Sequence, residues 1–179
     1  MANITTARVT IIAESVGAEL QHLVDLAADS SYDILSDGYS LTKSGDTWTF
    51  NGWGSGRWRY ANNVEGYFGN DSAWYGPDSP SRDAFDVLKE AVVRGGGRIT
   101  FEWSDCDPAM GWISQGTAEF AQTPEDEASG EPTIREARLV DFNEDESVEC
   151  NLANLMAMFG FSKEEAMEYF DDPDSDHEG

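Results

Sequence analysis

The most informative stretch of the sequence extends from Arg98 to Ala121 and reads RITFEWSDCDPAMGWISQGTAEFA. In its first six residues, isoleucine, phenylalanine and tryptophan alternate with polar residues, the pattern of a strand with one buried face. Residues Ser104–Gly111 have the composition of a turn and contain a proline. Because Trp112–Ala121 then predicts a returning strand, we expect a β-hairpin over residues 98–121.

The chain before this hairpin predicts two units in which strands are combined with a helix. Ser44–Asp46 has the composition of a hairpin turn and separates two short β-like runs. Gly95–Gly97 ends the second helix, because glycine readily takes the left-handed conformation that closes helices. The predicted strands cover residues 8–13, 39–43 and 47–53, and the predicted helices cover residues 16–27 and 80–94.

The chain after the hairpin begins with an acidic stretch bracketed by prolines, Thr123–Pro132. Thr133–Phe142 predicts a weaker strand, and the acid run Asn143–Glu149 follows it. Apolar residues at helical spacing then predict a short helix that stops at Gly160, and these residues either cap the core or form a dimer contact. They are Leu152, Leu155, Met156 and Phe159.

A second short helix is predicted from Ser162 to about Phe170. Glu165 stands three residues after Ser162, which is the spacing of a capping box. The element order predicts an α+β protein whose antiparallel or mixed sheet carries helices on one face, with this short helical pair at the C-terminus. The predicted divisions are an α+β core at 1–121, an acidic linker at 122–132, a strand and helical pair at 133–170 that pack on the core or form a small appendage, and a disordered acidic tail at 171–179.

The charge of the chain is its most unusual property. Its 179 residues include 35 acidic and 11 basic side chains, a formal net charge of −24. Residues 119–179 hold 19 acids and 3 bases, so this third of the chain carries −16 of that charge. Salt adaptation, a solubilising surface, and a surface built to dock on a basic site are the three explanations. Direct binding to nucleic acid is not expected, because the contacts that hold the phosphate backbone come from Lys and Arg.

Motifs for catalysis or metal binding do not emerge from the sequence. The chain has two histidines, His22 and His177, which is too little imidazole for Ser-His or Cys-His chemistry. Ser104–Asp107 lacks the spacing of a calcium loop and its closing glutamate. The glycines of Gly52–Gly56 lack the Lys-Ser/Thr of a phosphate-binding loop. We therefore expect a protein that is not an enzyme and that uses no cofactor and no metal.

Two cysteines, Cys106 and Cys150, stand far apart in the sequence. A disulfide framework needs more cysteines in a smaller secreted chain. The sequence favours reduced thiols in a cytoplasmic protein and leaves a single bridge between the two open. No apolar run reaches the ~20 residues of a membrane span, and the N-terminus has no signal segment, so no membrane association is expected.

Three places in the chain resemble a phage- and plasmid-borne family with a ferredoxin-like domain. They are the opening Met1–Asn3 with its following strand and helix, the segment Gly56–Asn63, and the helix, glycine and strand of residues 84–103 with Pro108–Trp112. The resemblance covers residues 1–121, and the acidic region after it departs from the family. It implies an elaborated ferredoxin-like fold and a mobile genetic element acting in the cytoplasm of a bacterial host. It implies no activity.

Combined with that context, the charge predicts an acidic mimic of nucleic acid. It would block a host defence nuclease or effector, of CRISPR or restriction type, by occupying its basic groove. The expected partner is a basic host protein or nucleoprotein complex, and a homodimer is an open possibility. The predicted partner-binding residues are Glu125, Asp126, Glu127, Glu131, Asp141, Glu144, Asp145, Glu146, Glu149, Glu164, Glu165, Glu168, Asp171 and Asp172.

The alternative prediction is a small accessory binding module, with the acidity serving solubility or salt adaptation. Its binding face would be an arginine-aromatic segment, because such residues can stack on bases. Alternation along a strand would place the two aromatic rings on one side and the two arginines on the other. The segment consists of Arg57, Trp58, Arg59 and Tyr60.

Overall fold

The computed structural model of the chain describes residues 5–16, 32–56, 59–68, 80–107, 111–124 and 135–168. Within these residues lie six strands and four helices. In chain order they are β1 (Thr5–Glu14), β2 (Tyr32–Ser44), β3 (Thr47–Gly56), α1 (Tyr60–Phe68), α2 (Pro80–Gly95), β4 (Arg98–Asp107), β5 (Trp112–Pro124), β6 (Arg135–Glu149), α3 (Leu152–Phe159) and α4 (Lys163–Glu168).

The strands form one antiparallel sheet in the order β2-β3-β1-β4-β5-β6. The predicted α+β class and the predicted hairpin of residues 98–121 are therefore confirmed. The first strand lies at the centre, where it pairs with β3 from Thr5 to Glu14 and with β4 from Thr6 to Glu14. Because β6 pairs with β5 from Pro124 to Trp112, the acidic strand belongs to the same sheet and forms one of its edges.

One face of the sheet is covered by α1 and α2 and holds the main core. The alternation predicted for β4 is confirmed, since Ile99, Phe101 and Trp103 are buried against these helices. Burying such side chains contributes roughly 1.5–3 kcal/mol each. The other members of this core include Val9 and Ile11 of β1, Phe50 of β3, Val64 of α1, Leu88 and Val92 of α2, and Phe120 of β5.

The opposite side of the sheet, called here the open face, is partly covered by α3 and α4. A second apolar cluster forms there, in which Leu155, Phe159 and Ala166 of the helices contact Cys106 and Ile113 of the sheet. This packing answers one question that the sequence left open, because the apolar residues of α3 cap the sheet. Met156, in contrast, is exposed.

The caps predicted for the C-terminal helices are confirmed. The Ser162 hydroxyl accepts the backbone N–H of Glu165 at 3.2 Å, and the Glu165 carboxylate accepts the N–H of Ser162 at 2.7 Å, so both bonds of a capping box are made. Gly160 ends α3 with a φ of 67°. The Asn151 side chain caps its start by accepting from the N–H of Asn154 at 3.0 Å.

Three local predictions were wrong. Ser104–Asp107 is not a turn, because β4 continues through it and pairs with β5 as far as Asp107. The strand predicted to end at Phe142 continues through the acid run to Glu149, since pairing with β5 outweighs the low strand propensity of these residues. Tyr60 does not lie on a strand but begins α1. The predicted helix at residues 16–27 lies outside the described residues except for Val16.

The packing of β5 on β4 leads to a strong stability prediction at Gly116. A Cβ atom on this residue would overlap the indole ring of Trp103, which fills the core at that point. We expect Gly116→Val to lower the free energy of unfolding by about 3 kcal/mol, because a close-packed core must shift to admit it. Urea denaturation would measure the loss. Thr117→Val on the exposed side of the same strand is the control and should change stability by less than ~0.5 kcal/mol.

Candidate functional site

The predicted acidic residues divide into three groups in the structure. Those on the surface are Asp141 and Asp145 of β6 and Glu164, Glu165 and Glu168 of α4. Glu144, Glu146 and Glu149 also lie within β6, and the Glu144 side chain is only 10% exposed. The remaining ones, Glu125, Asp126, Glu127, Glu131, Asp171 and Asp172, lie outside the described residues.

The acids of β6 follow the edge of the sheet. Asp141, Asn143 and Asp145 occupy alternate positions on the open face, while Phe142 lies beside the main core. Because α4 packs on the open face as well, its glutamates lie on the same side of the molecule. Charged side chains on an edge strand also hinder pairing with other chains, which gives these acids a structural role of their own.

Several basic side chains already have partners within the protein. Arg98 contacts Glu14 at 3.2 Å and Glu119 at 3.7 Å. The Lys43 amine lies 4.8 Å from the centre of the Trp48 ring. These contacts place positive charge beside carboxylates or aromatic rings. On β6 and α4, the exposed acids are accompanied by the exposed Arg135, Arg138 and Lys163.

The predicted arginine-aromatic face is only partly described. Arg57 and Trp58 lie outside the described residues. Tyr60 is 3% exposed, and its ring lies 5.8 Å from that of Trp103 at an interplanar angle of 56°. Its ring is therefore part of the core and offers no stacking surface. Arg59 lies 3.6 Å from the Glu144 carboxylate and 6.0 Å from the centre of the Trp112 ring.

A buried carboxylate lies beneath the start of α1. Asp105 is 0% exposed, and its Oδ2 accepts the backbone N–H of Tyr60 at 2.5 Å, so the side chain satisfies a donor at the helix terminus. The other oxygen, Oδ1, has no hydrogen-bond partner among the described residues, and the same holds for the Ser114 hydroxyl and the Trp103 indole N–H. Such unpaired polar groups are rare in protein interiors.

Burial raises the pKa of Asp105 to about 8. Removal from water disfavours the charged form and is the largest cause. The hydrogen bond from Tyr60 acts in the opposite direction, the nearby Glu144 raises the pKa further, and Arg59 lowers it. The desolvation effect outweighs the helix-terminus bond, so Asp105 holds its proton at neutral pH and has the character of a buried carboxylic acid.

The open face also contains a concavity of about 750 Å³. Arg8 and Trp53 are register partners in β1 and β3 and lie at one side of it. Trp53 is 43% exposed, and its ring occupies space that a Cβ at Gly38 would enter at 2.8 Å. Half of the remaining lining residues carry a hydroxyl or an amide, namely Thr10, Asn51, Ser104, Gln115, Thr117 and Asn143, and Glu102 and Asp145 are the acids.

Arg8, which lines this concavity, also contacts the C-terminal helical segment. The Arg8 guanidinium donates to the carbonyl of Phe159 and lies 5.0 Å from the centre of the Phe161 ring. Neither Arg8 nor Trp53 was predicted from the sequence as a surface-site residue. The alternation of β3 was visible in the sequence, but the register that sets Trp53 opposite Arg8 is a long-range property.

Metal ligands are not clustered in the described ranges, where no group of three or more His, Cys, Asp or Glu side chains could hold an ion. Among the same residues, the helices are all too short or too polar to span a membrane.

Comparison with known proteins adds no relative. No family model matches the chain, and no curated protein and no solved structure matches it. The resemblance of residues 1–121 to a phage- and plasmid-borne family thus remains a prediction. The structure itself defines the class as an acidic α+β protein with a six-stranded antiparallel sheet.

Proposed function

We propose that the protein is an acidic mimic of nucleic acid that occupies the basic groove of a host defence nuclease or effector. The observation that carries this proposal is the exposed pair Asp141 and Asp145 on the open face of β6, continued on the same side of the molecule by the exposed glutamates of α4. A partner with a nucleic-acid-binding groove presents Lys and Arg, which are the groups that such a surface attracts.

The geometry of an edge strand suits this role. A β-strand advances ~3.4 Å per residue, and the phosphates of one DNA strand succeed one another at ~3.4 Å along the helix axis. Asp141 and Asp145 are four residues apart on the open face, which corresponds to roughly four such steps. The strand pairs with β5 along its length, with irregularities of register beside Asp141 and Asp145, so the backbone that carries the carboxylates is fixed in position before a partner arrives.

The arginine side chains that have partners within the protein support the same proposal. Arg98 and Arg59 face carboxylates within the molecule, and Arg8 donates to a backbone carbonyl. A chain that bound nucleic acid directly would instead present such side chains to phosphates. We include in the proposal that the protein is not an enzyme, works without a cofactor, and acts in the cytoplasm of a bacterial host.

Capture from a host-cell lysate, with and without competing DNA, tests the proposal. Tagged protein is expected to retain a nuclease or effector at low salt, and added DNA is expected to displace it, because both ligands occupy one groove. Raising the salt concentration should weaken retention steeply, since charge contacts dominate. Retention of a partner that DNA leaves in place would contradict the mimic and place the contact elsewhere.

The concavity of the open face favours a second candidate function, an accessory binding module. Its volume of about 750 Å³ falls within the range of ligand sites, and Arg8 with Trp53 provides an arginine-aromatic pair in place of Arg59 and Tyr60. Trp53→Ala separates the two candidates. The substitution should abolish binding to a module and leave DNA-competed capture unchanged.

The proposal also includes a ferredoxin-like unit within the six-stranded sheet. The strands β1 to β4 have the order β2-β3-β1-β4, and the chain from β1 to β4 includes α2 before its last strand. This arrangement supports a ferredoxin-like unit to which β5 and β6 have been added at one edge. The acids lie on β6, which is one of the two added strands, so the proposed interaction surface belongs to the added part of the sheet.

The oligomeric state that we propose is a homodimer through the exposed Met156 and Met167.

A further inference from the structure

Two buried thiols face each other where the C-terminal helices meet the open face. The sulfur atoms of Cys106 and Cys150 lie 3.0 Å apart, although the residues are separated by 44 positions in the chain. Cys106 lies near the end of β4, and Cys150 lies two residues before α3, next to its N-cap Asn151. The S–S bond of a disulfide is ~2.05 Å long, so an approach of about 1 Å would join them.

The position of the pair is held from several directions. The backbone N–H of Cys150 donates to the carbonyl of Gly111 at 2.9 Å, which fixes it beside the β4–β5 connection. Both cysteines pack in the second apolar cluster with Ile113, Leu155 and Phe159. These contacts keep the sulfur atoms close before any bond forms, so little chain entropy remains to be lost on closure.

We propose that Cys106 and Cys150 are a site of reversible disulfide formation, driven by a small-molecule disulfide such as oxidised glutathione. The inference is independent of the proposed function. Its direct consequence is a covalent link between the central part of the sheet and the segment that carries α3 and α4. In the reduced protein the same helices are held without a covalent bond, by packing and by the hydrogen bond from Arg8 to the Phe159 carbonyl. The link therefore controls how firmly they remain on the open face.

The two thiols have different roles in the exchange. Cys150 is 8% exposed and Cys106 is 0% exposed, so a small disulfide reaches Cys150 first. The hydrogen bond with Cys106 lowers the pKa of Cys150, and the same contact together with burial raises the pKa of Cys106. Thiolate is the reactive form, so the geometry and the ionisation both make Cys150 the attacking group.

The exchange balances in two steps. The Cys150 thiolate attacks one sulfur of oxidised glutathione, forms a mixed disulfide and releases one glutathione thiolate, which takes up a proton. The Cys106 thiol then gives up its proton and attacks the Cys150 sulfur, releasing the second glutathione. The net reaction oxidises two protein thiols to one disulfide and reduces one oxidised glutathione to two thiols.

Intact-mass analysis after incubation with oxidised glutathione and alkylation of remaining thiols tests the proposal. The wild-type protein should lose two hydrogens, take up no alkylating agent and gain roughly 5–15 °C in Tm, because the bridge closes a long loop. A reducing agent should reverse all three changes. A second sample is refolded from urea in a glutathione redox buffer, so that burial of the thiols does not prevent the reaction.

Single substitutions provide matched controls for the assigned roles. Cys106→Ser should stop at the mixed disulfide and keep glutathione on Cys150, whereas Cys150→Ser should form no stable adduct at the buried Cys106. The proposal is overturned when both thiols of the wild type remain alkylatable after both treatments. It is equally overturned when the oxidised product is a cross-linked dimer, since that would mean that the intramolecular pair does not form.

Discussion

Asp105→Asn is expected to stabilise the protein in alkaline solution and to remove most of its loss of stability between pH 4 and pH 9. Asparagine keeps the oxygen that accepts the Tyr60 N–H at 2.5 Å, so the start of α1 remains capped. It has no proton to lose, and the interior around it therefore never has to hold a charge. Replacing a buried residue that makes a hydrogen bond usually destabilises a protein, and here we expect the opposite.

The direction in which the free energy of unfolding changes with pH follows from the pKa values of Asp105 in the folded and unfolded chain. Burial raises the pKa from an ordinary 3.8 to about 8, so between these values the folded protein retains a proton that the unfolded chain releases. The stabilising contribution is complete below about pH 4 and is lost as the pH rises through about 8. The free energy of unfolding falls by up to ~1.4 kcal/mol per pH unit in this window.

The neighbours of Asp105 strengthen this expectation. Glu144 is a second carboxylate whose charge opposes ionisation, while Arg59 offsets part of it. Tyr60 stays neutral and adds no charge of either sign, because desolvation and the nearby Asp105 raise the pKa of its hydroxyl. Asp107 is also buried, one position beyond Cys106. The site thus contains more acid than base, and a further negative charge on Asp105 is poorly compensated.

Urea denaturation at intervals from pH 5 to pH 9 would measure the effect in the wild type and in Asp105→Asn. The difference between the two curves should grow by roughly 4 kcal/mol across this range. Asp86→Asn replaces an exposed aspartate of α2 and should run parallel to the wild type throughout. Parallel curves for Asp105→Asn as well would mean that Asp105 is ionised in the folded protein, which contradicts a buried carboxylic acid at this position.

Local signals in the sequence were sufficient for much of the fold. The alternation of Ile99, Phe101 and Trp103 predicted β4 because one face of that strand is buried along its whole length. Ser162 and Glu165 predicted the start of α4 because a capping box is a contact between residues three positions apart. In both cases the determining interaction is local or periodic, so it is visible without knowledge of the tertiary structure.

The missed features depend on residues far apart in the chain. Ser104–Asp107 has the composition of a turn, yet β1 and β5 pair with it on both sides and extend the strand. Tyr60 begins a helix because Asp105, 45 positions later, accepts its N–H. The candidate site shows the same division. The acids of β6 were predicted from composition, whereas the Arg8–Trp53 pair and the buried Asp105 required the strand register.

Neutralising three acids on the proposed interaction side is expected to abolish most DNA-competed capture. The variant combines Asp141→Asn, Glu164→Gln and Glu168→Gln, which lie on β6 and α4 and are exposed. Each charge contact at an exposed contact surface contributes ~0.2–1 kcal/mol, so three together should weaken binding roughly threefold to a hundredfold. Glu165 is left unchanged because its carboxylate caps α4.

The decisive comparison is with three acids on the other side of the molecule. Glu65→Gln, Asp86→Asn and Glu90→Gln make the same change in net charge, and these residues are exposed on α1 and α2, which cover the opposite face of the sheet. If binding depended only on long-range attraction set by the net charge, both triple variants would bind the partner equally weakly. A mimic needs its carboxylates in one arrangement, so only the β6–α4 variant should lose its partner, with both variants retaining the Tm of the wild type to within a few degrees. Equal loss in the two variants would therefore refute a shaped interaction surface and leave the acidity as a property of the whole protein.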